Sequence, residues 1–538
     1  MLRQVKLAYS VERIGYRKNR NIFLSFLSAI RYPLNAKVLK DYLLCLLSAV
    51  LLILSFPKFN LEFLAWVGFV PLFFALQNKT KWQAFFLAYF TGIIFWLGTI
   101  YWLAHVTLAG MIILALYLAL YFGVFGLIIS TINYKLSTMN LIFISSLWVL
   151  LEYLRSHLFT GFPWALLGYS QYLNLPVIQI ADITGAWGVS FLVMMVNVFI
   201  YKVIGQKNKN MVLLPIFLLA FSLSYGYYKL HLQPTTYNLQ PFKISVIQGN
   251  IPQELKWDPE YKDFIVDKYL TLTRQAVKDK PDLIIWPEAA LPSVLEEEPL
   301  YYETTQHFVK EINTPLLLGA VTSKNSLYYN SALLISQEAQ ISNKYNKLHL
   351  VPFGEYLPLR RIFRFLEAIV PIGDFTSGKE YTIFELPAAG RRPPVTFSVL
   401  ICFEDLFPQI SRQFVKRGAG FLVNITNDAW FKKTPSPYQH LQASVFRAVE
   451  NRVFLVRAAN TGVSGFISPC GKIVSLVSDK LGNNIFIPGY ITKVISTSAL
   501  NKKPGFYTRY GDIFIFLLFI FVIYSIFRLV IQRKKQVM

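Results

Sequence analysis

The sequence predicts a multi-span α-helical membrane domain joined to an α/β domain. Of its 538 residues, 54% are hydrophobic and only 15% are charged, whereas about a quarter of the residues in a soluble domain are charged. Apolar stretches near the ~20 residues with which a helix crosses the hydrocarbon core recur before residue 230 and again near the end of the chain. Between them, residues 232–508 have ordinary soluble composition, and apolar runs of strand length are separated there by helical patterns.

Eight apolar stretches are candidate membrane-spanning helices. Seven precede the α/β segment and one follows it, at residues 42–56, 61–77, 83–104, 108–132, 140–155, 186–204, 211–228 and 512–531. We therefore predict a membrane domain over 41–230 with seven transmembrane helices, an α/β domain over 231–508, and a C-terminal transmembrane helix with a basic tail over 509–538. Residues 1–40 are basic and do not resemble a cleavable signal peptide, so we expect a cytosolic or membrane-surface extension.

The formal net charge of +23 predicts an anionic partner. The cations lie beside apolar runs rather than in a soluble patch, which favours lipid headgroups over nucleic acid. Positive charge in short loops also predicts the orientation of the chain. With the N-terminus in the cytosol, the short loops on the opposite face carry little charge beyond Lys58 and Arg155. Seven crossings then place the α/β domain outside the cytosol.

The α/β segment contains seven runs rich in Val, Ile and Leu, a composition typical of strands that are buried on both faces. They are residues 242–249, 282–288, 315–322, 330–336, 396–405, 420–428 and 453–462, and helical patterns cover 262–279 and 438–452. In sheets of this kind, active residues are expected just past the carboxyl ends of the strands.

Three segments carry side chains that suit covalent catalysis, two of them at the ends of predicted strands. Glu288 ends "LIIWPE", Cys402 follows "SVLI", and "NKYNKLHLVPFGEYLP" presents Lys347 and then Glu355. A nucleophilic thiol needs a base to take its proton and a cation or dipole to stabilise the oxyanion that it creates. Glu288, Lys347 and Cys402 can supply these three functions, and the start of a helix after Pro408 would favour the thiolate.

Other site chemistries are disfavoured. The cysteines Cys45, Cys402 and Cys470 show no CxxC or Cys/His spacing, so neither a zinc site nor any other metal or cofactor is expected. There is no GxSxG motif, and no nearby histidine suits a Ser/His/Asp triad. A Cys402–Cys470 disulfide is the competing interpretation for the thiol, and it is disfavoured because a nucleophile must stay free.

The motifs around these residues resemble the apolipoprotein N-acyltransferase family of the nitrilase, or carbon–nitrogen hydrolase, superfamily. They are "VIQGNIPQELKW" (246–257), "WPEAALP" (286–292), "NKYNKLHLVPFGEYLP" (343–358), "CFED" (402–405), "NITNDAWF" (424–431), "RAVENRVFLVRAANTG" (447–462) and, in the membrane domain, "GFPWALLGYSQ" (161–171). The resemblance covers essentially residues 40–530. It implies that the α/β domain is a nitrilase-like α/β/β/α sandwich and is the periplasmic catalytic domain.

The resemblance also implies roles for the site residues. Glu288 is implied as the general base, Lys347 as the cation that stabilises the tetrahedral intermediate, and Cys402 as the nucleophile. Glu355 is implied as a further essential acid near the thiol. The substrate-binding residues implied are Trp257 and Trp430 at the substrate entrance, with Trp164 and Tyr169 of the 161–171 segment helping to hold acyl chains.

Several neighbouring residues have open or structural interpretations. Phe403 departs from the tyrosine usual in the family, so no hydroxyl at this position can be essential here. Glu404 either orients Lys347 or satisfies backbone donors at the start of the helix. Asp405 is expected to be a helix N-cap or first-turn acid, and His349 is expected to be structural.

In the membrane domain, three polar residues lie near one edge of a predicted span. An ion pair of Glu152 with Arg155, three residues apart on a helix, explains both charges at the interface. His157, just beyond them, is expected to be solvated. The aromatic segment 161–171 is either an interfacial belt or, as the resemblance implies, part of the acyl-chain site.

The resemblance implies an acyltransferase at the outer leaflet of the bacterial inner membrane. Its implied partners are a phospholipid acyl donor and a diacylated apolipoprotein acceptor. The implied donor bond is the acyl ester at sn-1 of phosphatidylethanolamine. A thioester at Cys402 would carry the acyl chain from donor to acceptor. One alternative is a membrane-tethered nitrilase-type amidase, although a tether does not need eight spans. The other is a transporter with a sensing domain, which predicts polar or broken helices at the bilayer midplane.

Overall fold

The computed structural model of the protein describes residues 36–131, 138–206, 213–231, 240–358, 360, 374–387, 394–497 and 504–537. The predicted extension 1–40 therefore lies almost entirely outside the described residues. What is described consists of a helical N-terminal region, an α/β domain and a C-terminal helix, as the sequence predicts.

The N-terminal region is built from nine α-helices among the described residues, with short 3₁₀ segments at Glu62–Trp66, Tyr101–His105 and Leu167–Gln171. The helices are α1 (Ala36–Leu54), α2 (Val70–Leu76), α3 (Lys81–Ile100), α4 (Leu108–Ser130), α5 (Thr138–His157), α6 (Leu175–Ile178), α7 (Ala181–Thr184), α8 (Ala186–Gln206) and α9 (Leu213–His231). Thr80 caps α3 through its hydroxyl, which accepts a hydrogen bond from Gln83 N at 3.4 Å. Gly126 of α4 lets this helix approach α3, because a Cβ there would lie 2.6 Å from Ala84 O.

Among the residues that the structure describes, four segments are long and apolar enough to cross a membrane. They are Lys81–His105, Leu108–Ser130, Ala186–Gly205 and Leu213–His231. The segment 61–77, predicted as one spanning helix, is not a continuous helix in the structure. It forms a 3₁₀ segment and then the seven-residue helix α2, because the chain turns at residues 67–69. Helix α1 begins with Lys37, Lys40 and Asp41, and α5 carries two charged residues near its end, which lowers their mean hydropathy. The count of eight spans stays a prediction.

The α/β domain contains two six-stranded sheets. The first has the order β12-β1-β2-β3-β4-β5 and the second β11-β10-β9-β8-β7-β6. The strands are β1 (Gln240–Gln248), β2 (Leu283–Ile285), β3 (Leu316–Lys324), β4 (Leu327–Ile335), β5 (Ile341–Asn346), β6 (Phe384–Leu386), β7 (Val395–Ile401), β8 (Phe421–Thr426), β9 (Leu455–Ala459), β10 (Gly465–Ile467), β11 (Ile473–Leu476) and β12 (Gly489–Thr497). In the centres of the sheets, β1, β2 and β3 are parallel, as are β7, β8 and β9.

The two sheets pack face to face, with helices on their outer faces. Phe242 of β1 meets Phe421 of β8 at a ring-centroid distance of 6.1 Å between the sheets. On the outer face of the first sheet, α10 (Lys262–Val277) and α11 (Leu300–Ile312) cover apolar side chains such as Trp286. Helices α12 (Pro408–Lys416) and α13 (Ser436–Asn451) cover the second sheet. The predicted α/β/β/α sandwich, with its helical membrane domain, is confirmed.

Every predicted run in the α/β segment contains a strand, and both predicted helices are present. Strands β5, β6, β10, β11 and β12 and helix α11 were not predicted from the sequence. The chain then continues through α14 (Phe506–Tyr510) into α15 (Ile513–Val537), which packs against α5. Arg412 of α12 joins this end of the chain to the α/β domain, because its Nε donates to Tyr507 O at 3.1 Å.

Candidate active site

Residues from both sheets meet at one end of the sandwich. Glu288 follows β2 and Lys347 follows β5, and these two strands run in the same direction because β4 is antiparallel to both β3 and β5. Cys402 follows β7 of the second sheet. Lys347 Nζ lies 3.7 Å from Glu288 Oε1 and 2.9 Å from Glu355 Oε1. The structure thus brings the sequence-predicted charged residues together in one buried cluster.

Asn330 of β4 holds the two carboxylates in place. Its Nδ2 donates to Glu288 Oε1 at 2.7 Å and to Glu355 Oε1 at 2.9 Å. The second oxygen of Glu288 accepts from Asn427 N at 2.9 Å, and Glu355 Oε2 accepts from Val351 N at 2.8 Å. Sequence analysis missed Asn330, because an asparagine in the first half of a strand gives no signal until the strand pairing is known.

The charges in this cluster keep Lys347 protonated. The side chain is buried, and burial alone lowers the pKa of an ammonium group. The carboxylates of Glu355 and Glu288 outweigh that effect and raise the pKa of Lys347. The lysine is therefore a fixed positive charge beside the thiol, as an oxyanion requires.

Cys402 occupies a strained position directly after β7. Its φ of +54° is in the left-handed region, which costs a non-glycine residue of order 1–3 kcal/mol. Its carbonyl oxygen is held by Asn424 Nδ2 at 3.1 Å and by His440 Nε2 at 3.2 Å. Burial and the charge of Glu288 raise the pKa of the Cys402 thiol, with Lys347 acting in the opposite direction. The resting thiol is therefore protonated and needs a base.

The competing disulfide is not formed. Cys45, Cys402 and Cys470 are all free cysteines. The Cys470 sulfur lies 3.1 Å from Ser468 Oγ, and its carbonyl accepts from Gln179 of the membrane domain. The thiol of Cys402 is thus available for chemistry.

Glu404 satisfies backbone donors, the second of its two predicted roles. One carboxylate oxygen accepts from Leu348 N at 2.7 Å, His349 N at 3.1 Å and Tyr345 Oη at 2.8 Å. The other accepts from Ile401 N at 2.7 Å. Burial raises its pKa to about 7 although these donors lower it. The carboxyl group joins the segment after β5, which carries Lys347, to the end of β7.

Asp405 was expected to be a helix N-cap or first-turn acid, and it lies in the first turn of the 3₁₀ segment Cys402–Leu406, but it does not cap a helix. Its carboxylate is buried and binds His440 Nε2 at 2.8 Å, Arg457 Nη1 at 2.8 Å and the hydroxyl of Ser444. The buried partners outweigh capping because two cations and a hydroxyl stabilise the ionised acid more than a helix terminus does. The same interactions lower the pKa of Asp405.

His349 and Phe403 pack together beside Cys402. The His349 ring lies 3.8 Å from the Phe407 ring and 6.1 Å from the Phe403 ring, measured between centroids. Burial and the charge of Lys347 lower the pKa of His349 to about 4. The imidazole is therefore neutral at physiological pH, and the structural role expected for it stays a prediction.

Lys256 is a second buried lysine that sequence analysis did not single out. Its Nζ donates to the main-chain oxygen of Glu288 at 3.0 Å. Burial lowers its pKa to about 8, and the charges of Glu288 and Cys402 act against that effect. It lies one residue before Trp257 in the motif 246–257, so the motif carries both a buried lysine and an exposed aromatic residue.

The four aromatic residues implied for substrate binding fall into two groups. Trp257 is 44% exposed and Trp430 is 49% exposed. Trp164 and Tyr169 are buried between the membrane segment and the α/β domain: Trp164 Nε1 donates to Gln439 Oε1 at 2.7 Å, and Tyr169 Oη accepts from Arg447 Nη2 at 3.4 Å. Their substrate-binding roles stay predictions.

Glu152 and Arg155, which were expected to form an ion pair at the interface, are both buried in the structure. Arg155 Nη1 donates to the carbonyls of Phe162 at 2.7 Å and Trp164 at 2.8 Å. Glu152 Oε1 accepts from Leu167 N at 2.7 Å. The two side chains thus hold the 161–171 segment, because its irregular backbone leaves buried polar groups that must find hydrogen-bond partners. His157 is exposed, as expected.

No group of three or more His, Cys, Asp or Glu side chains is arranged to hold a metal ion in the part of the chain that the structure describes. The chemistry that the described site can perform is that of a thiol with an adjacent carboxylate and ammonium group.

Comparisons with known proteins follow the same division of the chain. Residues 48–199 match the apolipoprotein N-acyltransferase N-terminal domain, and residues 243–485 match the carbon-nitrogen hydrolase family. The apolipoprotein N-acyltransferase of Geobacter metallireducens is 39% identical over 502 residues, covering 88% of this chain and 92% of that protein. The enzyme of the same name from Haemophilus influenzae is 31% identical over 81% of this chain and 86% of its own. A solved amidase from Nesterenkonia sp. is 17% identical and covers 50% of this chain and 97% of its own, with a TM-score of 0.35.

Proposed function

Because the chain belongs to the apolipoprotein N-acyltransferase family, we propose that it moves an acyl chain from a membrane phospholipid to the N-terminal amine of a diacylglyceryl-cysteine apolipoprotein, through a thioester at Cys402. The observation that carries this proposal is the buried cluster in which Lys347 lies between Glu288 and Glu355 while the charges of Glu288 and Lys347 both act on the Cys402 thiol. The proposed donor bond is the sn-1 ester of phosphatidylethanolamine.

In the first half-reaction, the Glu288 carboxylate takes the proton of the Cys402 thiol and the sulfur attacks the ester carbonyl carbon. The negative charge that develops on the carbonyl oxygen is stabilised by the ammonium group of Lys347. When the tetrahedral intermediate collapses, the C–O bond breaks and the lysophospholipid oxygen takes the proton back from Glu288. The products are a lysophospholipid and a thioester.

In the second half-reaction, the free amine of the apolipoprotein attacks the thioester carbonyl. Glu288 takes the proton that the amine loses, and Lys347 again stabilises the oxyanion. The C–S bond breaks, the thiolate recovers the proton, and the product is an amide. Thioesters react readily with amines, so the intermediate suits an amine acceptor.

Trp257 and Trp430 are proposed to lie where lipid-anchored substrates approach the thiol. Both are exposed, and an amphipathic ring of this kind favours the membrane–water interface. Trp164 and Tyr169 are proposed to line the path of the acyl chain from the membrane domain. The α/β domain is proposed to face the periplasm, with the helices in the inner membrane, because the loop charges favour that orientation.

The test is the complete reaction. The purified full-length chain is incubated with phosphatidylethanolamine and a diacylglyceryl-cysteine peptide, and the peptide is analysed by mass spectrometry. The expected result is a mass gain of one acyl group at the N-terminal amine. Free fatty acid with an unmodified peptide would overturn the proposal in favour of the membrane-tethered amidase.

A further inference from the structure

A single side chain of the α/β domain joins three segments of the membrane domain. Gln439, near the start of α13, is buried, and its Oε1 accepts from Trp102 Nε1 at 3.0 Å and from Trp164 Nε1 at 2.7 Å. Its Nε2 donates to Thr99 O at 3.0 Å and to Pro57 O at 3.3 Å. All hydrogen-bonding groups of this amide are therefore used between the two domains.

The next residue, His440, contacts the backbone of the nucleophile. Its Nε2 lies 3.2 Å from Cys402 O and 2.8 Å from Asp405 Oδ1, and its Nδ1 lies 3.1 Å from Asp428 Oδ1. The Trp164 ring, which Gln439 holds by its indole nitrogen, lies 5.7 Å from the His440 ring. Trp164 thus touches both members of the pair.

The surroundings of His440 fix it as a cation with two donors. The groups that face it are the carboxylates of Asp405 and Asp428, with Arg457 bound to Asp405 at 2.8 Å. Two carboxylates thus face two cationic side chains, His440 and Arg457, and the His440 ring is buried. Although burial opposes the charge, Asp405 outweighs it and raises the pKa of His440 to about 9. Both ring nitrogens therefore carry a proton at neutral pH, and Nε2–H is shared between Asp405 and the Cys402 carbonyl.

Cys402 needs such a support because its backbone is strained. A cysteine at φ +54° persists only when surrounding contacts over-determine the conformation. Two donors hold its carbonyl, and the one from His440 is charged, so it is the stronger of the two. Movement of α13 relative to the end of β7 would therefore displace the backbone of Cys402.

We propose that Gln439 and His440 are positioning residues, which align the Cys402 backbone with the membrane segments that deliver the acyl donor. Gln439 fixes α13 against Trp102 and Trp164. His440, the next residue on α13, then holds the Cys402 carbonyl at a position that α13 determines. This inference rests on the proposed function, since it concerns the rate at which Cys402 takes an acyl chain. A misplacement near 1 Å can cost on the order of 10²-fold in rate.

The decisive comparison is between His440→Gln and His440→Asn. Both variants remove the ring and its charge. The glutamine amide nitrogen falls near Nε2 and can donate to Cys402 O, whereas the asparagine amide nitrogen falls near Nδ1 and can donate only to Asp428. Single-turnover acylation of Cys402 by phosphatidylethanolamine is followed by intact mass over a range of lipid concentrations. We expect the glutamine variant to retain a rate at least tenfold above that of the asparagine variant, with half-saturating lipid concentrations unchanged.

The link to the membrane domain is tested with Gln439→Met against Gln442→Met. Both glutamines are buried on α13 and bind membrane-domain groups, since Gln442 Nε2 donates to Tyr169 O at 3.0 Å. Only Gln439 adjoins Trp164 and His440. We expect the Gln439 variant to acylate at least tenfold more slowly than the Gln442 variant at equal thermal stability.

The outcomes separate the two proposals. If the wild-type chain gains no acyl group, the proposed function is wrong. If the wild type is acylated but the two His440 variants react at equal rates, or Gln439→Met and Gln442→Met lose rate equally, the positioning role is wrong while the function stands. Should a His440 variant not fold, the Gln439 pair decides alone.

Discussion

Lys347 and Glu355 form a buried ion pair in which Nζ and Oε1 are 2.9 Å apart. Glu355 is anchored in turn by Asn330 and by Val351 N. The position of the ammonium group therefore depends on an acid that lies eight residues further along the chain, as well as on Glu288. This arrangement explains how a buried lysine stays charged beside a thiol, and it leads to the first prediction.

Glu355→Gln should fold and slow acylation of Cys402. The amide oxygen can still accept from Lys347, but the charge that raises the pKa of the lysine is lost, so oxyanion stabilisation weakens. We expect a loss on the order of 10–10²-fold in the single-turnover rate. The control is Glu385→Gln, an exposed acid on β6. Equal rates in the two variants would remove Glu355 from the site chemistry.

Asn330→Leu should slow acylation without unfolding the chain. The substitution keeps the branched shape of the side chain and removes the amide that binds both Glu288 and Glu355. Hydrogen bonds to charged groups contribute about 1.5–3 kcal/mol, so a loss of roughly 10–10²-fold is expected. Asn343→Leu on the adjacent strand β5, where Nδ2 donates to Ile383 O at 3.0 Å, is the matched control. A wild-type rate in Asn330→Leu would show that Glu288 needs no such support.

Arg155 should be required for the shape of the 161–171 segment. Arg155→Met leaves the carbonyls of Phe162 and Trp164 without their donor, and each unsatisfied buried carbonyl costs about 1–3 kcal/mol. Arg155→Lys supplies a point charge but not the planar fork of donors. We expect the apparent Tm in detergent to fall in the order wild type, Lys, Met. If methionine is as stable as wild type, Arg155 does not hold this segment.

The stability of the α/β domain should fall as the pH rises toward 9. Because Asp405 raises the folded-state pKa of His440 to about 9, above the ~6.5 of an unfolded chain, its contribution is complete below pH 6.5. That contribution is lost as the pH rises through about 9. Measurements of Tm between pH 6 and 9.5 should show this decline in the wild type and a flatter profile in His440→Gln. Parallel profiles would assign the decline to other groups.

The sequence predicts two of the three proposed catalytic residues from composition as well as from motif. Glu288 and Cys402 follow apolar runs that form β2 and β7, whereas Lys347 follows β5, a strand that the composition does not indicate, and only its motif points to it. Asn330, Gln439 and His440 could not be found in this way, since their partners lie far away along the chain and only the folded structure brings them together.

Two departures from the expected local structure have a similar physical origin. Asp405 lies in the first turn of a 3₁₀ segment, but its carboxylate turns inward to His440 and Arg457 instead of capping a helix. The stretch 61–77 is as apolar as a span, yet hydropathy carries no information about the turn that divides it. Local pattern determines which residues are buried, whereas the long-range partners determine what the buried groups do.

The most direct test of the central claim is the intact mass of the protein after exposure to phosphatidylethanolamine, followed by addition of a diacylglyceryl-cysteine peptide. The thioester mechanism predicts a gain of one acyl group on the peptide that contains Cys402, rapid loss of that group when the amine is added, and slow loss to water. Glu288→Gln should be loaded on the order of 10²–10⁴-fold more slowly, and Cys402→Ala should neither be loaded nor transfer. Acylation of the peptide by Cys402→Ala would contradict the account.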